Sequence, residues 1–241
     1  FCKHRVSLTG TLDETFVNEL TLIGLFGPKV EMITTREMID LGISSDIIIN
    51  ALILKYDESS RSHVSKLKTY AEEIDWLIND SKRNKFIKNL ALKVKGNTIL
   101  MFKNRAHGKI LLESLKDSKK PVLYVDGTIN NTLREKIRQQ IEDYDDLILI
   151  GSSGVFATGV SANKIHNIIR AHPMKGRVQN FQSIGRGLRL HETKTHVNLY
   201  DIIDDLVHKK KVNFSMKHGA IRIKAFTEQK LDYKIFNIEV K

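Results

Sequence analysis

Residues 182–189 read QSIGRGLR and contain two arginines three positions apart. On a helix, Arg186 and Arg189 would project from the same face, one turn apart. Such a pair can hold one anion, because the planar guanidinium matches phosphate oxygens and Gly185 removes side-chain bulk beside it. The alternative interpretation is a basic helix face that contacts only water.

Residues 152–163, SSGVFATGVSAN, combine small polar residues with glycines after a predicted strand. Hydroxyl groups and exposed backbone N–H groups of this kind can cradle a phosphate. Ordinary turns often have the same composition, so this segment alone does not identify a site.

Two further segments place basic residues where predicted strands end. FKNRAHGK at 102–109 has four of them at the start of a predicted helix, whose positive end also favours an anion: Lys103, Arg105, His107 and Lys109. DGTINNTLRE at 126–135 has a predicted capping box and carries Arg134 in its first helical turn. Together these loops predict a basic track for a sugar–phosphate backbone.

The elements that position these loops alternate between strand and helix after Gly96. NTILMF, PVLYV, DLILIGS, HNIIRAH and HVNLYDII predict strands, and amphipathic segments between them predict helices. The predicted fold class is therefore α/β, with a doubly wound, mainly parallel sheet and helices on both faces. Ligands of such sheets bind at the carboxyl ends of the strands, where all these loops would lie.

The first part of the chain is less regular. DIIINALILKY predicts a buried strand, and helical spacing extends over 62–95 with a break at 79–81. RVSLTG and KVEMI predict two short strands around a helix in DETFVNELTLIGLFG. The side chains expected to point inward from that helix are Phe16, Leu20, Ile23 and either Leu25 or Phe26.

The composition indicates a polyanionic partner. The net charge is +11, and the segment 206–241 alone has nine Lys and Arg against three Asp and Glu. The HKKK turn with Lys217, Arg222 and Lys224 would add DNA affinity there, unless the segment only improves solubility.

With Cys2 as its only cysteine the chain forms no internal disulfide, which fits a reducing cytosol. No metal-binding motif or membrane-spanning apolar run is present.

In their order, these segments resemble the motifs of superfamily 2 helicases, and most closely those of the phage branch-migration helicases. The likeness is to the second RecA-like motor domain, and QSIGRGLR matches the motif VI pattern Q-x-x-G-R-x-x-R in full. VSLTGTL at 6–12 is similar to motif III, NTILMFKNRAHGK at 97–109 to motif IV and SSGVFATGVSAN to motif V.

The resemblance also implies a division of the chain. Residues 1–42 would be the tail of the first motor domain. Residues 43–241 would be the second, with a helical segment at 62–95 and a basic tail at 206–241. The sequence has no amino-terminal Met, so the chain is expected to begin inside a longer protein.

The resemblance implies a role for each motif. Arg186 and Arg189, aided by Gln182, would act on the γ-phosphate of ATP, which the first motor domain holds with Mg²⁺. It further implies nucleotide contacts at Gly185, Gly159 and Ser161, DNA contacts at Lys103, Arg105, Arg134, Ser152, Ser153 and Thr158, and coupling of hydrolysis to domain movement at Ser7, Thr9 and Thr11.

Two features depart from the family pattern. Ser161 stands where many relatives carry an Asp that contacts ribose, and the 241 residues contain no G-x-x-x-x-G-K-[ST] motif. The implied function is that of a motor-domain fragment of an ATP-dependent DNA helicase, which remodels branched or forked DNA in recombination, repair or replication restart. An RNA helicase, a restriction-system translocase and a non-catalytic nucleic-acid-binding module are the alternatives.

Overall fold

The computed structural model describes residues 5–8, 16–30, 32–127, 131–153, 163–173, 190–192 and 194–240. The strands in these ranges are β1 (Asp46–Lys55), β2 (Thr98–Phe102), β3 (Val122–Val125), β4 (Ile148–Ser152), β5 (Asn167–Arg170), β6 (His196–Asp205) and β7 (Tyr233–Glu239). The helices are α1 (Phe16–Phe26), α2 (Thr35–Asp40), α3 (Glu58–Ser65), α4 (Tyr70–Asn79), α5 (Ser81–Lys93), α6 (Arg105–Ser114), α7 (Asn131–Asp143) and α8 (Phe214–Glu228).

The seven strands form one sheet in the order β3-β4-β2-β5-β6-β1-β7. Every pair of neighbours is parallel. All strands therefore end at the same edge of the sheet, as a doubly wound α/β fold requires. The predicted parallel sheet is confirmed.

Both faces of the sheet are covered by helices. Successive side chains of a strand point to opposite faces. In β4, Leu149 packs into a core with Ile137 of α7 and Phe226 of α8. Ile148 and Ile150 pack into the other core, which contains side chains of α3 to α6. This alternation confirms the prediction of helices on both faces.

The segment predicted to be helical from 62 to 95 consists of three helices. Asp57 caps the amino end of α3, and Thr69 forms a capping box with Glu72 at the start of α4. Asp80, inside the expected break, caps α5 by accepting a hydrogen bond from the Arg83 backbone N–H. The caps divide the segment because each one satisfies N–H groups that a continuous helix would have paired.

The predictions for the first part of the chain are partly wrong. The described residues of the two short apolar segments, 5–8 and 29–33 without 31, are not strands. Short apolar segments become strands only where a neighbouring backbone completes their hydrogen bonds, and no described strand lies beside them. The side chains expected to point inward from α1 are exposed at Leu20, Ile23, Leu25 and Phe26, and that of Phe16 lies outside the described residues.

The basic segment from residue 206 onward is folded into the domain. Here α8 packs on the sheet and β7 pairs with β1. Arg222, expected to contact DNA, is fully buried, and its Nε lies 2.8 Å from Asp201 Oδ2. Within the described ranges, no helix is long and apolar enough to cross a membrane.

Candidate phosphate-binding edge of the sheet

The carboxyl ends of β3, β4 and β2 bring several of the predicted loops together. Phe102 pairs with Ser152 across β2 and β4, so Lys103 and Ser153 begin neighbouring loops. The Lys103 side chain is exposed, and Ser152 and Ser153 are partly buried. Because adjacent strands lie about 4.8 Å apart, these groups share one narrow edge of the sheet.

The start of α6 adds positive potential beside Lys103. Asn104 caps this helix, since its side chain accepts a 2.9 Å hydrogen bond from the Ala106 backbone N–H. Gly108 lets the helix lie directly on Phe102, because a methyl group in its place would approach the Phe102 ring to 2.7 Å. The amino end of α6 is therefore held at the carboxyl end of β2, where the helix dipole and the lysine attract the same anion.

Arg105 lies at this edge but is paired. Its Nε is 3.4 Å from Oδ2 of Asp126, which directly follows β3. The Arg105 side chain is 57% exposed and that of Asp126 is 16% exposed, and an ion pair with one partner in solvent is worth on the order of 1 kcal/mol. A phosphate could replace Asp126 at little cost. Sequence reasoning missed Asp126, although its position after a strand was a usable signal.

His107, which the sequence placed in the basic loop, is a core residue instead. Its side chain is buried, and Nε2 lies 3.0 Å from Asn84 Oδ1. Burial and the nearby Arg83 lower the pKa of His107 to about 2, so the ring is neutral in ordinary buffers. The basic residues of this loop that face solvent are Lys103, Arg105 and Lys109.

A buried ion pair fixes the strand ends further along the edge. Arg83 Nε lies 2.8 Å from Asp204 Oδ1, and Arg83 Nη2 donates to the Ala171 backbone oxygen at 2.7 Å. Tyr56, which follows β1, donates to the same carboxylate at 2.8 Å. Removing one partner of a buried pair costs about 3–5 kcal/mol, so these contacts hold the ends of β1, β5 and β6 in place.

A second buried pair joins the sheet to α8. Asp201 accepts from Arg170 on β5 and from Arg222 on α8, at 3.0 and 2.8 Å. His172, two residues beyond β5, is buried, and its pKa falls to about 3, mainly because of burial and also because of Arg83 and Lys103. Sequence reasoning missed both networks, because a helix or strand pattern does not reveal which cations point inward.

The remaining site predictions are mostly outside the described residues. Ser7 is described and exposed, and Arg134 lies in α7 although its side chain is not described. Residues outside the described ranges are Thr9, Thr11, Thr158, Gly159, Ser161, Gln182, Gly185, Arg186 and Arg189. Among the described residues, no group of three or more His, Cys, Asp or Glu could hold a metal ion.

Residues 81–191 match the helicase conserved C-terminal domain. The ATP-dependent DNA helicase UvsW of Enterobacteria phage T4 is 32% identical to the chain over 245 residues, which is 96% of the chain and 49% of UvsW. The crystal structure of T4 UvsW superposes on 92% of the chain and 46% of its own length, with 31% identity and a TM-score of 0.71. The chain thus spans about half the length of this relative.

More distant structures share the fold alone. A fragment of an HsdR-type restriction subunit from Vibrio vulnificus YJ016 is 17% identical with a TM-score of 0.66, over 95% of this chain and 43% of that one. Dbp5 of S. cerevisiae, bound to RNA, is 13% identical with a TM-score of 0.56, over 97% of this chain and 50% of that one. With the motif order and the parallel sheet, the match to UvsW shows that the chain belongs to the superfamily 2 helicases and carries their conserved C-terminal domain in a RecA-like fold.

Proposed function

We propose that the chain is the second motor domain, with the tail of the first, of an ATP-dependent DNA helicase that remodels branched or forked DNA in the cytosol. The observation that carries this proposal is the 32% identity to a DNA helicase over 96% of the chain. The net charge of +11 supports it, because a basic surface favours a polyanion.

The domain boundary near residue 42 belongs to the proposal. Apolar side chains of α1 are exposed in the described chain, among them Leu20 and Phe26. An exposed apolar helix face of this kind is typical of an interface with another domain. We therefore assign residues 1–42 to the first motor domain and residues 43–241 to the second.

The DNA strand would run along the edge formed by β3, β4 and β2. Lys103 and the amino end of α6 would bind one phosphate, and Arg105 would exchange Asp126 for another. These contacts read charge and not sequence, so the strand can slide. Arg134, Ser152, Ser153 and Thr158 complete the proposed track.

The second role of the domain is to complete an ATPase site that the first motor domain mainly forms. Bound ATP with Mg²⁺ would supply the phosphoryl group whose transfer to water drives the motor. Arg186 and Arg189 would stabilise negative charge on that group, and Gln182, Gly185, Gly159 and Ser161 would help to place it. Ser7, Thr9 and Thr11 would couple the reaction to closure of the two domains.

The test is an unwinding assay with the full-length protein. We expect ATP-dependent separation of forked DNA and much slower separation of an RNA duplex of the same sequence. The reverse preference would identify an RNA helicase. Translocation along DNA without strand separation would indicate a restriction-type motor, and no ATP hydrolysis with any nucleic acid would leave only a binding module.

A further inference from the structure

Six exposed lysines lie close together outside the edge described above. They come from the α3–α4 connection, from the β6–α8 connection and from the first turn of α8. We call them the lysine cluster: Lys66, Lys68, Lys209, Lys210, Lys211 and Lys217.

Hydrogen bonds hold the segments of the cluster together. Lys211 Nζ donates to the backbone oxygens of Ser65 and Leu67, at 2.8 Å for Leu67. Glu73 of α4 is buried and accepts from the backbone N–H groups of Phe214 and Ser215, at 2.8 and 2.7 Å. The backbone segments that carry the lysines are therefore held next to one another.

The turn that carries Lys209 has an unusual backbone. Lys209 has φ 52°, in the left-handed region. A residue with a side chain pays about 1–2 kcal/mol for this conformation, which glycine avoids and asparagine tolerates. Lys230, outside the cluster, has a similar φ of 53°, so the conformation shows only that the turn presents Lys209 at its tip.

The nearby carboxylates are already engaged. Glu58 contacts Arg61 at 2.7 Å and His208 at 3.0 Å. Glu72 accepts hydrogen bonds from the backbone N–H groups of Lys68 and Thr69. The two carboxylates remain charged and offset part of the charge of the six lysines, but the lysines outnumber them, so the surface stays positive.

The cluster lies near the proposed single-strand track. Its turn follows β6, which lies two strands from β2, or about 10 Å along the same carboxyl edge. Duplex DNA carries one negative charge per about 1.7 Å of its axis, so one duplex can reach several of these lysines at once.

We propose that the lysine cluster binds the sugar–phosphate backbone of a duplex DNA arm, separately from the single-strand track at the ends of β3, β4 and β2. The inference rests on the proposed function only in taking DNA as the ligand. Arg222 and Lys224, expected from the sequence to join such a surface, are not part of it: Arg222 is buried, and the Lys224 side chain lies 3.9 Å from Glu228.

The test uses the full-length protein with four cluster lysines neutralised: Lys66→Gln, Lys68→Gln, Lys209→Asn and Lys210→Gln. Asparagine suits the left-handed position, and Lys211 is kept because it holds the turn. The control removes four exposed lysines near the opposite edge, at the ends of α5 and α6: Lys93, Lys95, Lys116 and Lys119, each to Gln. Circular dichroism checks the folding of both variants.

Binding is measured without ATP over a salt series, on a blunt duplex and on a short single strand. We expect the cluster variant to lose at least tenfold in duplex affinity. Its slope of log K against log salt should fall by about 0.9 for each phosphate contact removed. Single-strand binding and ATPase activity without DNA should be unchanged, and the control should match the parent.

Equal duplex binding by the cluster variant and the control would show that the lysines contact only water. An equal loss on the single strand would place them in the translocation track, which also overturns the proposal. Failure of the unaltered protein to unwind forked DNA would instead count against the proposed function, and the measurements without ATP would still decide the role of the cluster.

Discussion

At the scale of single residues, buried and exposed cations have different roles in this domain. Arg83, Arg170 and Arg222 are buried and neutralise carboxylates inside the fold. Lys103 and the lysine cluster face solvent. The buried arginines stabilise the strand ends, whereas the exposed lysines are available for phosphate. The total of 39 Lys and Arg therefore overstates the number of cations that can contact DNA.

The arginines of QSIGRGLR should be required for hydrolysis but not for binding. In the full-length protein, we expect Arg186→Ala or Arg189→Ala to lower DNA-stimulated ATPase about a thousandfold, because arginine fingers contribute at least that much to phosphoryl transfer. Arg186→Lys should restore little, since an ammonium cannot reproduce a bidentate contact. Steady-state ATPase with saturating forked DNA measures this, and full activity in both alanine variants would refute the assignment.

The buried histidines should make the domain less stable in mild acid. His107 and His172 have pKa values lowered to about 2 and 3, whereas unfolded histidine titrates near 6.5. As the pH falls below about 6.5, the unfolded chain takes up protons that the folded domain refuses. The free energy of unfolding should then fall by about 1.4 kcal/mol per pH unit for each histidine.

Urea denaturation at pH 7 and pH 5 tests this expectation, because carboxylates of ordinary pKa are still ionised at pH 5. In His172→Gln the free energy of unfolding should depend less steeply on pH, because the unfolded chain takes up about one proton fewer. Equal stability of the unaltered chain at the two pH values would contradict the buried, neutral assignment of these rings.

At the scale of elements, close packing of helices on the sheet depends on two glycines. Gly219 of α8 faces Ile203 of β6, and a methyl group there would approach Ile203 Cγ2 to 2.6 Å. Gly108 plays the same part between α6 and Phe102. Lys103 lies beside the amino end of α6, and Lys217 lies in the first turn of α8. The two glycines therefore help to set where these lysines lie.

Gly219→Ala should destabilise the 241-residue chain by about 1–3 kcal/mol, as overpacking of a filled core does. Gly24→Ala in α1 is the matched control. Among the described residues, no atom lies within 4 Å of the added methyl group there, and alanine favours a helix over glycine by about 1 kcal/mol. Urea denaturation should show a loss for the first variant and none for the second; equal effects would refute the close contact.

The sequence predicted the regular elements well because their periodicity comes from burial. The run DIIINALILKY and the strands after Gly96 all appear in the sheet. Sequence reasoning predicted no element after HVNLYDII and so missed α8 and β7. Periodicity also could not show that β7 pairs with β1, since strand order depends on contacts between distant residues. It also failed for α1, whose apolar face is exposed in the described chain. It placed Lys103 and Ser152 at strand ends, where the structure has them, but showed neither the Asp126 pairing nor the burial of His107.

At the scale of the whole molecule, charge should govern DNA binding. We expect the 241-residue chain to bind DNA weakly and with little sequence preference, because its net charge of +11 favours contacts with the sugar–phosphate backbone. The slope of log K against log salt should be about −0.9 per phosphate on a duplex and about −0.7 on a single strand. Fluorescence anisotropy over a salt series measures it, and binding that is insensitive to salt would exclude a basic track.

The strand order also constrains how the chain can fold as it leaves the ribosome. The neighbours of β1 in the sheet are β6 and β7, and Lys55 of β1 is bonded to Asp205, 150 residues later. At about 5–20 residues per second, synthesis of that interval takes roughly 8–30 s. For that time the nascent DIIINALILK segment lacks both of its neighbours in the described sheet, and its apolar side chains would be open to chaperone binding or to aggregation.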